Sequence, residues 1–515
     1  MSKRLRNLLL TVGLLVVAGG ALAAVLLLLP EPTPVESGSS DTSAVDISVK
    51  LIDKSKDADG NVIDAPIREI EITSPAGHFV VENDEQDGLR VAAYADFTPN
   101  TTKLSSLVTY LKSITATQQV KSGASETDLA GYGFGEETGT AVRVTYYDGT
   151  VYAFELGIES PGESGRYFRP AGEDRVYLVS TYLGTTVDTD PLAYISPTLI
   201  TAPSVNSDDT AGSAVLRSME LTGSLRTQKV AFRQVTPEDG DALQYTGYVI
   251  TTPRLSGTND ALIQDISGKL SLTAAAVVYP HPTQEQIREC GLNEPRSVAQ
   301  FDLAVSSTRA VSEDDPDQTE TYYYNIQPHT VRLGKTDAGG NYYALVDDLD
   351  MIVTLMPSAV PWAEETYDTL VDPLLFMQMI TDIQTISLTI NGRTYDFQLT
   401  HDPDQDDRDL KMTVTCDGKT YSTPDMRILY QVLMNIKRSG PASGATADGQ
   451  PVLTVELTPV SASGGRHVLA KLYKISGSLY LCRQANGEEY QVTARTVTHA
   501  MEQIENYLAG EKVIR

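Results

Sequence analysis

Apolar and polar residues alternate in three short segments that lie far apart in the chain. They read IREIEIT at 67–73, LRSMELT at 216–222 and IQTISLT at 383–389. Because a period of two places alternate side chains on opposite faces, each segment predicts a half-buried strand. The segments begin 149 and 167 residues apart. These spacings are too long for a solenoid repeat and indicate three separate domains of related pattern.

A helical pattern follows each of these strands. Residues 101–114, 257–270 and 422–439 carry apolar side chains three and four positions apart, as on one face of a helix. In the third segment, Ser422 or Thr423 is placed to cap the helix, and Pro424 is suited to its first turn. We expect one packed helix in each unit, with the second weakened by Gly268.

Hairpin patterns complete each unit. Residues 141–157 alternate around Asp148-Gly149, a dipeptide strongly favoured in hairpin turns. Three further phrases, at 165–183, 340–358 and 477–495, each read as an aromatic strand, a polar turn and a second apolar strand. We interpret them as closing hairpins. In the second unit, the acidic stretch 312–320 is expected to be a loop inserted between two strands. The predicted fold class is α+β, with three related units that each form a mostly antiparallel sheet with a packed helix.

The N-terminal region predicts a membrane segment. Residues 8–29 carry no charge and would span ~33 Å as a helix, enough for a bilayer core of about 30 Å. Lys3, Arg4 and Arg6 precede this run, which predicts a cytoplasmic N-terminus and extracytoplasmic C-terminal domains. A cleaved signal peptide is the alternative, since residues 21–23 resemble a cleavage triplet. Six further apolar residues follow it, which favours a retained anchor in the cell membrane.

Composition divides the rest of the chain. Two stretches rich in small, polar and acidic residues, 30–46 and 201–214, indicate a stalk and a linker. The predicted organisation is a cytoplasmic tail at 1–7, a transmembrane helix at 8–29, a stalk at 30–46, unit 1 at 47–200, a linker at 201–214, unit 2 at 215–380 and a divergent unit 3 at 381–515.

Charge and cysteine content narrow the function classes. The formal net charge is −28, which argues against nucleic-acid binding and against attachment to anionic lipid through a basic patch. Three cysteines exclude a disulfide framework. Cys416 and Cys482 lie on predicted strands of the third unit, so one bridge is possible; buried free thiols are the alternative interpretation.

No recognised catalytic motif is present. The chain contains no phosphate-binding G-x-x-x-x-G-K-[ST] loop, no H-E-x-x-H, no C-x-x-C and no G-x-S-x-G. Its six histidines lie more than one helical turn apart. We therefore predict no catalytic, cofactor-binding or metal-ligating residues and no cofactor.

Two hypotheses about binding remain open in the sequence. The acidic stretches 53–64 and 401–409 invite a calcium interpretation, but the first lacks ligands at both ends of an EF-hand loop and the second has no turn glycine. Polar turns explain both. The tyrosine-rich segments 146–154 and 321–325 would suit glycan platforms, although tyrosine is also a strong strand former.

A further shared phrase carries a family resemblance. YGFGEETGTAVRVTYYDG at 132–149 and CGLNEPRSVAQFDLAVSS at 290–307 share a Gly-apolar turn, an acid and then a strand. Followed by Leu-Gly and a closing hairpin, this resembles the bacterial domain of unknown function (DUF) family 4340. The resemblance covers residues ~125–200 and ~280–360 best. The third unit lacks the Gly-Leu phrase.

The resemblance implies a location and a partner but no chemistry. Members are typically membrane-anchored or exported bacterial proteins, often encoded beside ABC-transporter subunits of the gliding-motility type, and no catalytic residues are established for them. We expect a non-catalytic, membrane-anchored accessory or scaffold protein. Its partners would be ABC-transporter permease and ATPase subunits or another envelope protein.

Two alternative functions are kept. The first is an extracytoplasmic module that binds cell-wall glycan or an exported solute, which requires exposed coplanar tyrosines along a groove. The second is a hydrolase with paired carboxylates from separate units, which requires two acids in one pocket, one with a raised pKa. A scaffold instead requires an exposed apolar patch or an unpaired strand edge.

Overall fold

The computed structural model describes residues 48–515 apart from short gaps. The gaps are residues 57–58, 64–65, 76, 85–87, 136–137, 162–164, 240–246, 313–314, 402–411, 443, 445, 447–448 and 461–466. The described strands form three nine-stranded sheets and one two-stranded sheet.

The first sheet is built from strands near the beginning of the described chain. These are β1 Val49–Asp53, β2 Ile67–Ser74, β3 Gly77–Asp84, β4 Gly88–Val91, β5 Ser113–Lys121, β6 Thr140–Tyr146, β7 Val151–Glu159, β8 Gly165–Pro170 and β9 Val176–Ser180. Their spatial order is β1-β5-β9-β8-β7-β6-β2-β3-β4, and every neighbouring pair is antiparallel.

The second sheet follows a small two-stranded connection. The strands in chain order are β10 Thr198–Ile200, β11 Ser213–Thr222, β12 Val230–Gln234, β13 Tyr248–Thr252, β14 Ser256–Gly257, β15 Leu272–Thr273, β16 Ala276–Pro280, β17 Ser297–Ser312, β18 Asp315–Thr336, β19 Tyr342–Val346 and β20 Met351–Leu355. β10 pairs with β15, and the others form an antiparallel sheet in the order β14-β13-β12-β11-β17-β18-β19-β20-β16.

The third sheet occupies the C-terminal part of the chain. Its strands are β21 Ile383–Ile390, β22 Arg393–His401, β23 Met412–Cys416, β24 Lys419–Tyr421, β25 Arg438–Pro441, β26 Leu453–Pro459, β27 Val468–Lys474, β28 Leu479–Gln484 and β29 Glu489–Thr493. They are antiparallel neighbours in the order β24-β23-β22-β21-β26-β27-β28-β29-β25.

The α-helices of the described residues are short. They are α1 Thr101–Leu111, α2 Glu126–Gly131, α3 Thr181–Val187, α4 Asp260–Ser267, α5 Gln284–Glu289, α6 Tyr367–Leu370, α7 Thr423–Met434 and α8 Ala494–Ala509. In α7 the Ser422 side chain accepts a hydrogen bond from the Asp425 N–H and Pro424 lies in the first turn, as the sequence predicts. Gly268 ends α4, so the predicted second helix is shorter than its apolar pattern.

The three large sheets share one strand succession. Eight neighbouring strands run β4-β3-β2-β6-β7-β8-β9-β5 in the first sheet, β13-β12-β11-β17-β18-β19-β20-β16 in the second and β23-β22-β21-β26-β27-β28-β29-β25 in the third. In each succession the strand that opens the unit (β2, β11 or β21) is therefore third in spatial order. It lies beside the strand that is fifth in chain order among the eight (β6, β17 or β26). Each sheet adds one more strand at an edge.

A separate apolar core lies against each sheet. Leu104 and Leu107 of α1 are fully buried in the first core, and Ile263 of α4 is buried in the second. Leu429 of α7 and Ile504 of α8 are fully buried in the third. Burying one such side chain contributes about 1.5–3 kcal/mol, so these helices are held by the sheets more than by their own propensity.

The fold-class prediction is wrong. Most of the described structure is antiparallel sheet, and its helices are few because the helical patterns cover only short stretches between strands. None of the helices in the described residues is long and apolar enough to cross a membrane. The predicted tail at 1–7, transmembrane helix at 8–29 and stalk at 30–46 all lie outside the described residues.

Several local predictions are confirmed. The three alternating segments are β2, β11 and β21, and the hairpin around Asp148-Gly149 is β6–β7, with Gly149 at φ 83°. The closing hairpins are β8–β9, β19–β20 and β28–β29. One detail differs: the acidic stretch 312–320, expected as a loop, continues β17 and β18 on both sides of the gap at 313–314.

Candidate functional site

The longest hairpin of the structure extends well beyond its sheet. β17 is paired with β11 only as far as Ser306, and β18 is paired with β19 only from Val331 onward. Beyond these pairings only two strands remain. We refer to this two-stranded part, residues 307–312 of β17 and 315–325 of β18, as the arm. At about 3.4 Å per residue, the β17 side of the arm extends roughly 20 Å past the β11 pairing.

The arm leaves one long strand edge open. Cross-strand pairs such as Ser307–Tyr322 and Ala310–Thr319 use one side of β18. Among the described residues no strand pairs with its other side between Asp315 and His329. Every second residue of a strand directs its N–H and C=O to one side, so this edge presents a row of unpaired backbone donors and acceptors.

Contacts at the base of the arm fix its direction. The Asp209 carboxylate accepts hydrogen bonds from Ser307 Oγ and Tyr324 Oη, each at 2.9 Å. It also accepts backbone hydrogen bonds from Ala211 and Gly212. Although burial opposes ionisation, these hydrogen bonds hold the pKa of Asp209 below its ordinary value. A two-stranded ribbon is marginal alone, so this anchor supports the arm.

Side-chain contacts also join the two strands of the arm. Arg309 Nε donates to Glu320 Oε1 at 2.6 Å across the ribbon, and its guanidinium lies 5.3 Å from the ring centre of Tyr322. The rings of Tyr322 and Tyr324 stack at 6.0 Å with an interplanar angle of 26°. Each such pair contributes a few tenths to about 1 kcal/mol. The arm is therefore an ordered ribbon up to the region of its tip.

The arm is acidic. The hairpin sequence 307–325 contains one basic residue, Arg309, and five acidic residues: Glu313, Asp314, Asp315, Asp317 and Glu320. Val311, near the tip, and Ile326, just beyond the arm, are exposed apolar residues at 53% and 46%. Acidic residues and Pro316 on a strand edge oppose pairing between two copies of the same chain. They favour a partner segment of opposite charge.

The tyrosine segments do not form an exposed row along a groove. Tyr322 and Tyr324 are half-buried, and Asp209 engages the Tyr324 hydroxyl. Tyr323 lies under Arg217 and donates to Gln234 Oε1 at 2.7 Å. Tyr146, in the other segment, is buried and donates to the Leu111 carbonyl. These tyrosines pack the sheets and fix their connections.

A second polar centre joins the second and third sheets. Arg438, at the start of β25, has only 6% of its side chain exposed and pairs with Asp368 of α6 and with Glu488 of the β28–β29 turn. The guanidinium also lies 4.4 Å from the Tyr490 ring centre. Tyr367 donates to Glu488 Oε1 at 2.7 Å, and burial, with Glu488 nearby, raises the pKa of Tyr367 to about 12.

Backbone hydrogen bonds continue this junction. The Asp372 N–H donates to the Gly257 carbonyl at 3.0 Å, and the Arg438 N–H donates to the Pro373 carbonyl at 2.7 Å. Thr258 and Val371 form an isolated bridge. The chain segment at 371–373 thus links an edge of the second sheet, β14, to an edge of the third, β25.

The carboxylate-hydrolase hypothesis meets only part of its requirements. Asp372 and Glu488 come from the predicted units 2 and 3 and line the same cavity, and burial raises the pKa of Asp372 to about 6. Oε1 of Glu488, however, already accepts from both Arg438 and Tyr367. An acid held in this way is not free to act as a general base.

The other candidate residues have ordinary structural roles. Asp53 of the first acidic stretch accepts hydrogen bonds from its neighbour Ser55, and Gly60 forms a turn at φ 86°. Residues 402–409, which are all but the first residue of the second stretch, lie outside the described part of the chain. In the described residues, no group of His, Cys, Asp and Glu is placed to hold a metal ion. Cys290, Cys416 and Cys482 are buried free thiols.

The shared Gly phrases have the same geometry in the first two sheets. After capping-box helices α2 and α5, Gly133 and Gly291 adopt φ 77° and 73°. The preceding carbonyls, of Tyr132 and Cys290, then accept backbone hydrogen bonds from the residues after Gly157 and Gly334. A Cβ on Gly157 or Gly334 would lie 2.1 Å from that carbonyl oxygen. The Leu-Gly of the resemblance is required by this close approach.

Comparison with known proteins identifies one family segment. Residues 90–247 match the family model described as Domain of unknown function (DUF4340). The match begins in β4 and ends just before β13, so it covers most of the strands of the first sheet, β5–β9 with the end of β4, and then β10, β11 and β12. It includes the first region of the resemblance, ~125–200, and ends before the second, ~280–360. A search of curated proteins found no match, and neither did a search of solved structures.

Proposed function

We propose that this protein is a non-catalytic accessory or scaffold protein that binds a partner through the arm. The observation that carries the proposal is the open edge of β18 between Asp315 and His329. A partner segment in extended conformation can add to such an edge as a further strand, with main-chain hydrogen bonds supplying affinity. The partner strand would lie on the side of β18 that β19 occupies farther along the sheet.

The chemistry of the arm defines the partner segment. Its acidic composition selects a segment that carries Lys or Arg, and this attraction also speeds association. Thr319 and Thr321 are exposed and Tyr323 half-buried, and the three share one face of β18, so a paired strand would place alternate side chains beside them. We propose a basic, extended segment of another protein as the occupant.

Partner identity and location belong to the same proposal. The resemblance supports ABC-transporter permease and ATPase subunits or another envelope protein as the partner. It also supports an extracytoplasmic location for the three sheets. Accessibility of a C-terminal tag to protease added to intact cells tests this location.

We also infer that the first two sheets are two copies of the same family domain and that the third is a divergent relative. Support comes from their common strand succession and from the matching carbonyl–glycine contacts at Gly157 and Gly334. The third sheet has Tyr473 rather than glycine at the corresponding place after Leu472 in β27. The third unit therefore lacks the glycine of this contact as well as the Gly-Leu phrase.

The test is co-purification with and without the arm. In the shortened variant, Asn-Gly replaces residues 309–320 and joins Thr308 to Thr321, which already face each other across the ribbon. The full-length parent and this variant are purified in mild detergent from the native host, and associated proteins are identified by mass spectrometry. We expect a stoichiometric partner with the parent and its loss with the variant.

A point substitution controls for damage to the fold. Val151→Asp places a charge at an exposed apolar strand position of the first sheet, matched in exposure to Val311→Asp on the arm. Only the Val311 variant should weaken partner recovery. Equal recovery with the parent and the shortened arm, or recovery of this protein alone, would contradict the proposal.

A further inference from the structure

A cavity of about 340 Å³ lies at the junction of the second and third sheets. β14, the segment 371–378 that follows α6, and the start of β25 form one side of it. The beginning of β27 and the β28–β29 turn also line it. Its volume falls at the lower end of the range for small-molecule sites, about 300–1,000 Å³.

Asp372 is a carboxylate that lines this cavity and forms no salt bridge with any described residue. One carboxylate oxygen, Oδ1, accepts a hydrogen bond from the Leu374 N–H at 2.9 Å. Within the described residues, no donor lies within hydrogen-bond distance of Oδ2. The facing residue, Gly257, lacks a side chain, and a Cβ built there would lie 3.7 Å from Oδ2. The carboxylate is therefore accessible from inside the cavity.

The other charges around the cavity do not neutralise Asp372. Arg438 is already paired with Asp368 and Glu488, so this group of three carries a net negative charge. At longer range, Lys437 and Arg438 lower the pKa of Asp372 and Asp260 raises it, but burial outweighs them and the pKa stays above its ordinary value. His467, which also lines the cavity, pairs with Glu456. A cation entering the cavity would meet an excess of negative charge.

The cavity lining also contains polar residues, Ser256, Gln378, Gln484 and Asn486, and a group of apolar residues that follows Asp372 in the chain. Leu375 and Phe376 are buried and Met377 is half-buried, and all three line the cavity. Met377 Sδ lies 3.3 Å from the position of a Cβ on Gly257, next to Asp372. A ligand here would therefore contact a carboxylate at one end and hydrocarbon surface along its body.

We propose that the cavity between the second and third sheets binds a small organic cation, an amine or guanidinium with a short apolar body, through Asp372. The ammonium or guanidinium donates charge-assisted hydrogen bonds to Oδ2, and the body packs against Phe376 and Met377. This site is independent of the arm and of any partner bound there. Without a bound cation, burial opposes ionisation of the Asp372 carboxyl. A bound cation offsets this effect and favours the ionised form.

The experiment is isothermal titration of the full chain at pH 7.5 with phenethylamine and with agmatine. Neutral 2-phenylethanol and anionic 3-phenylpropionate serve as isosteres without the positive charge. We expect saturable binding of at least one amine and no saturable binding of the isosteres. Asp372→Asn should weaken that binding at least about tenfold, since it removes the charge and retains the shape.

Two further variants separate the site from general effects. Gly257→Ala keeps the carboxylate but places a methyl group beside Oδ2, and it should also weaken binding. Asp265→Asn, at an exposed carboxylate on α4, should leave binding unchanged. Equal binding by parent and Asp372→Asn, equal binding of amine and alcohol, or no binding of either amine at millimolar concentration would each overturn the proposal.

Discussion

Arg438 donates a hydrogen bond to Asp368 at 2.8 Å, and the two residues come from opposite sides of the junction between the second and third sheets. Arg438 begins β25, whereas Asp368 lies in α6, after the last strand of the second sheet. A buried arginine that is also paired with Glu488 links these sheets through side chains. The backbone hydrogen bond from Arg438 to Pro373 adds a second link at the same place.

Removing the arginine should destabilise this junction. Arg438→Met leaves Glu488, which is 6% exposed, without its cation, and loss of one partner of a buried pair typically costs about 3–5 kcal/mol. Urea unfolding followed by tryptophan fluorescence measures the change, since Trp362 precedes α6. Lys229→Met, which breaks an exposed pair with Glu220, should cost less than about 1 kcal/mol. Similar costs for the two variants would contradict the structural role given to Arg438.

Stability should depend on Asp372 between about pH 4 and pH 6. Its folded pKa, about 6, lies above the ordinary value of 3.8, so the folded chain holds this proton more tightly than the unfolded chain. The contribution of Asp372 to the free energy of unfolding therefore falls as the pH rises through this window and is constant above it. Asp372→Asn should remove that slope and stabilise the ligand-free protein at pH 7 by up to about 3 kcal/mol.

Denaturation of parent and Asp372→Asn at several pH values measures the difference directly. The difference isolates Asp372 from carboxylates such as Asp209 and Asp239, whose pKa values are lowered by their hydrogen bonds and, for Asp239, by Arg233. A constant difference from pH 4 to pH 7 would show that the carboxyl titrates normally.

The two equivalent glycines should be intolerant of alanine. In Gly157→Ala and Gly334→Ala the new Cβ meets a carbonyl oxygen at 2.1 Å, so the backbone must separate. We expect each to destabilise by about 1–3 kcal/mol or more, measured as a lower denaturation midpoint. Gly131→Ala is the control, because no atom lies within 4 Å of its Cβ position and it is exposed at the end of α2. If Gly334→Ala were tolerated and Gly157→Ala were not, the two glycines would not be structurally equivalent.

The cysteines should be unreactive in the folded protein. All three are buried, and burial raises the pKa of Cys482 to about 12, so almost no thiolate is available at neutral pH. Ellman's reagent should label no thiol in the native protein and all three in denaturant. Stoichiometric labelling before unfolding would show that one of these strands opens.

Local structure was predictable where a short-range physical rule applied. Alternation identified β2, β11 and β21, and the cap at Ser422 with Pro424 located α7. Asp148-Gly149 identified a hairpin because its turn needs a positive φ at glycine. Each of these rules depends only on residues a few positions apart, so a single sequence is sufficient to predict these elements.

The candidate sites depend on distant pairings and were not predictable in the same way. Arg438 and Asp368 are 70 residues apart, and no local pattern marks either of them. The sequence predicts a loop at 312–320 because its residues are poor strand formers, but Ser312 belongs to β17 and residues 315–320 belong to β18 through cross-strand pairing. The predominance of sheet over helix follows from the same long-range pairing.

Site-specific photo-cross-linking on the arm tests the central claim most directly. A photoreactive phenylalanine replaces Thr319, which is exposed on the arm of β18, in the full-length protein expressed in its native host. The matched position is Thr73 of β2, an exposed strand residue paired on both sides with β3 and β6. We predict one cross-linked partner at Thr319, attached through a basic segment, and none at Thr73. No partner at Thr319, or the same products at both positions, would contradict partner binding at the open edge.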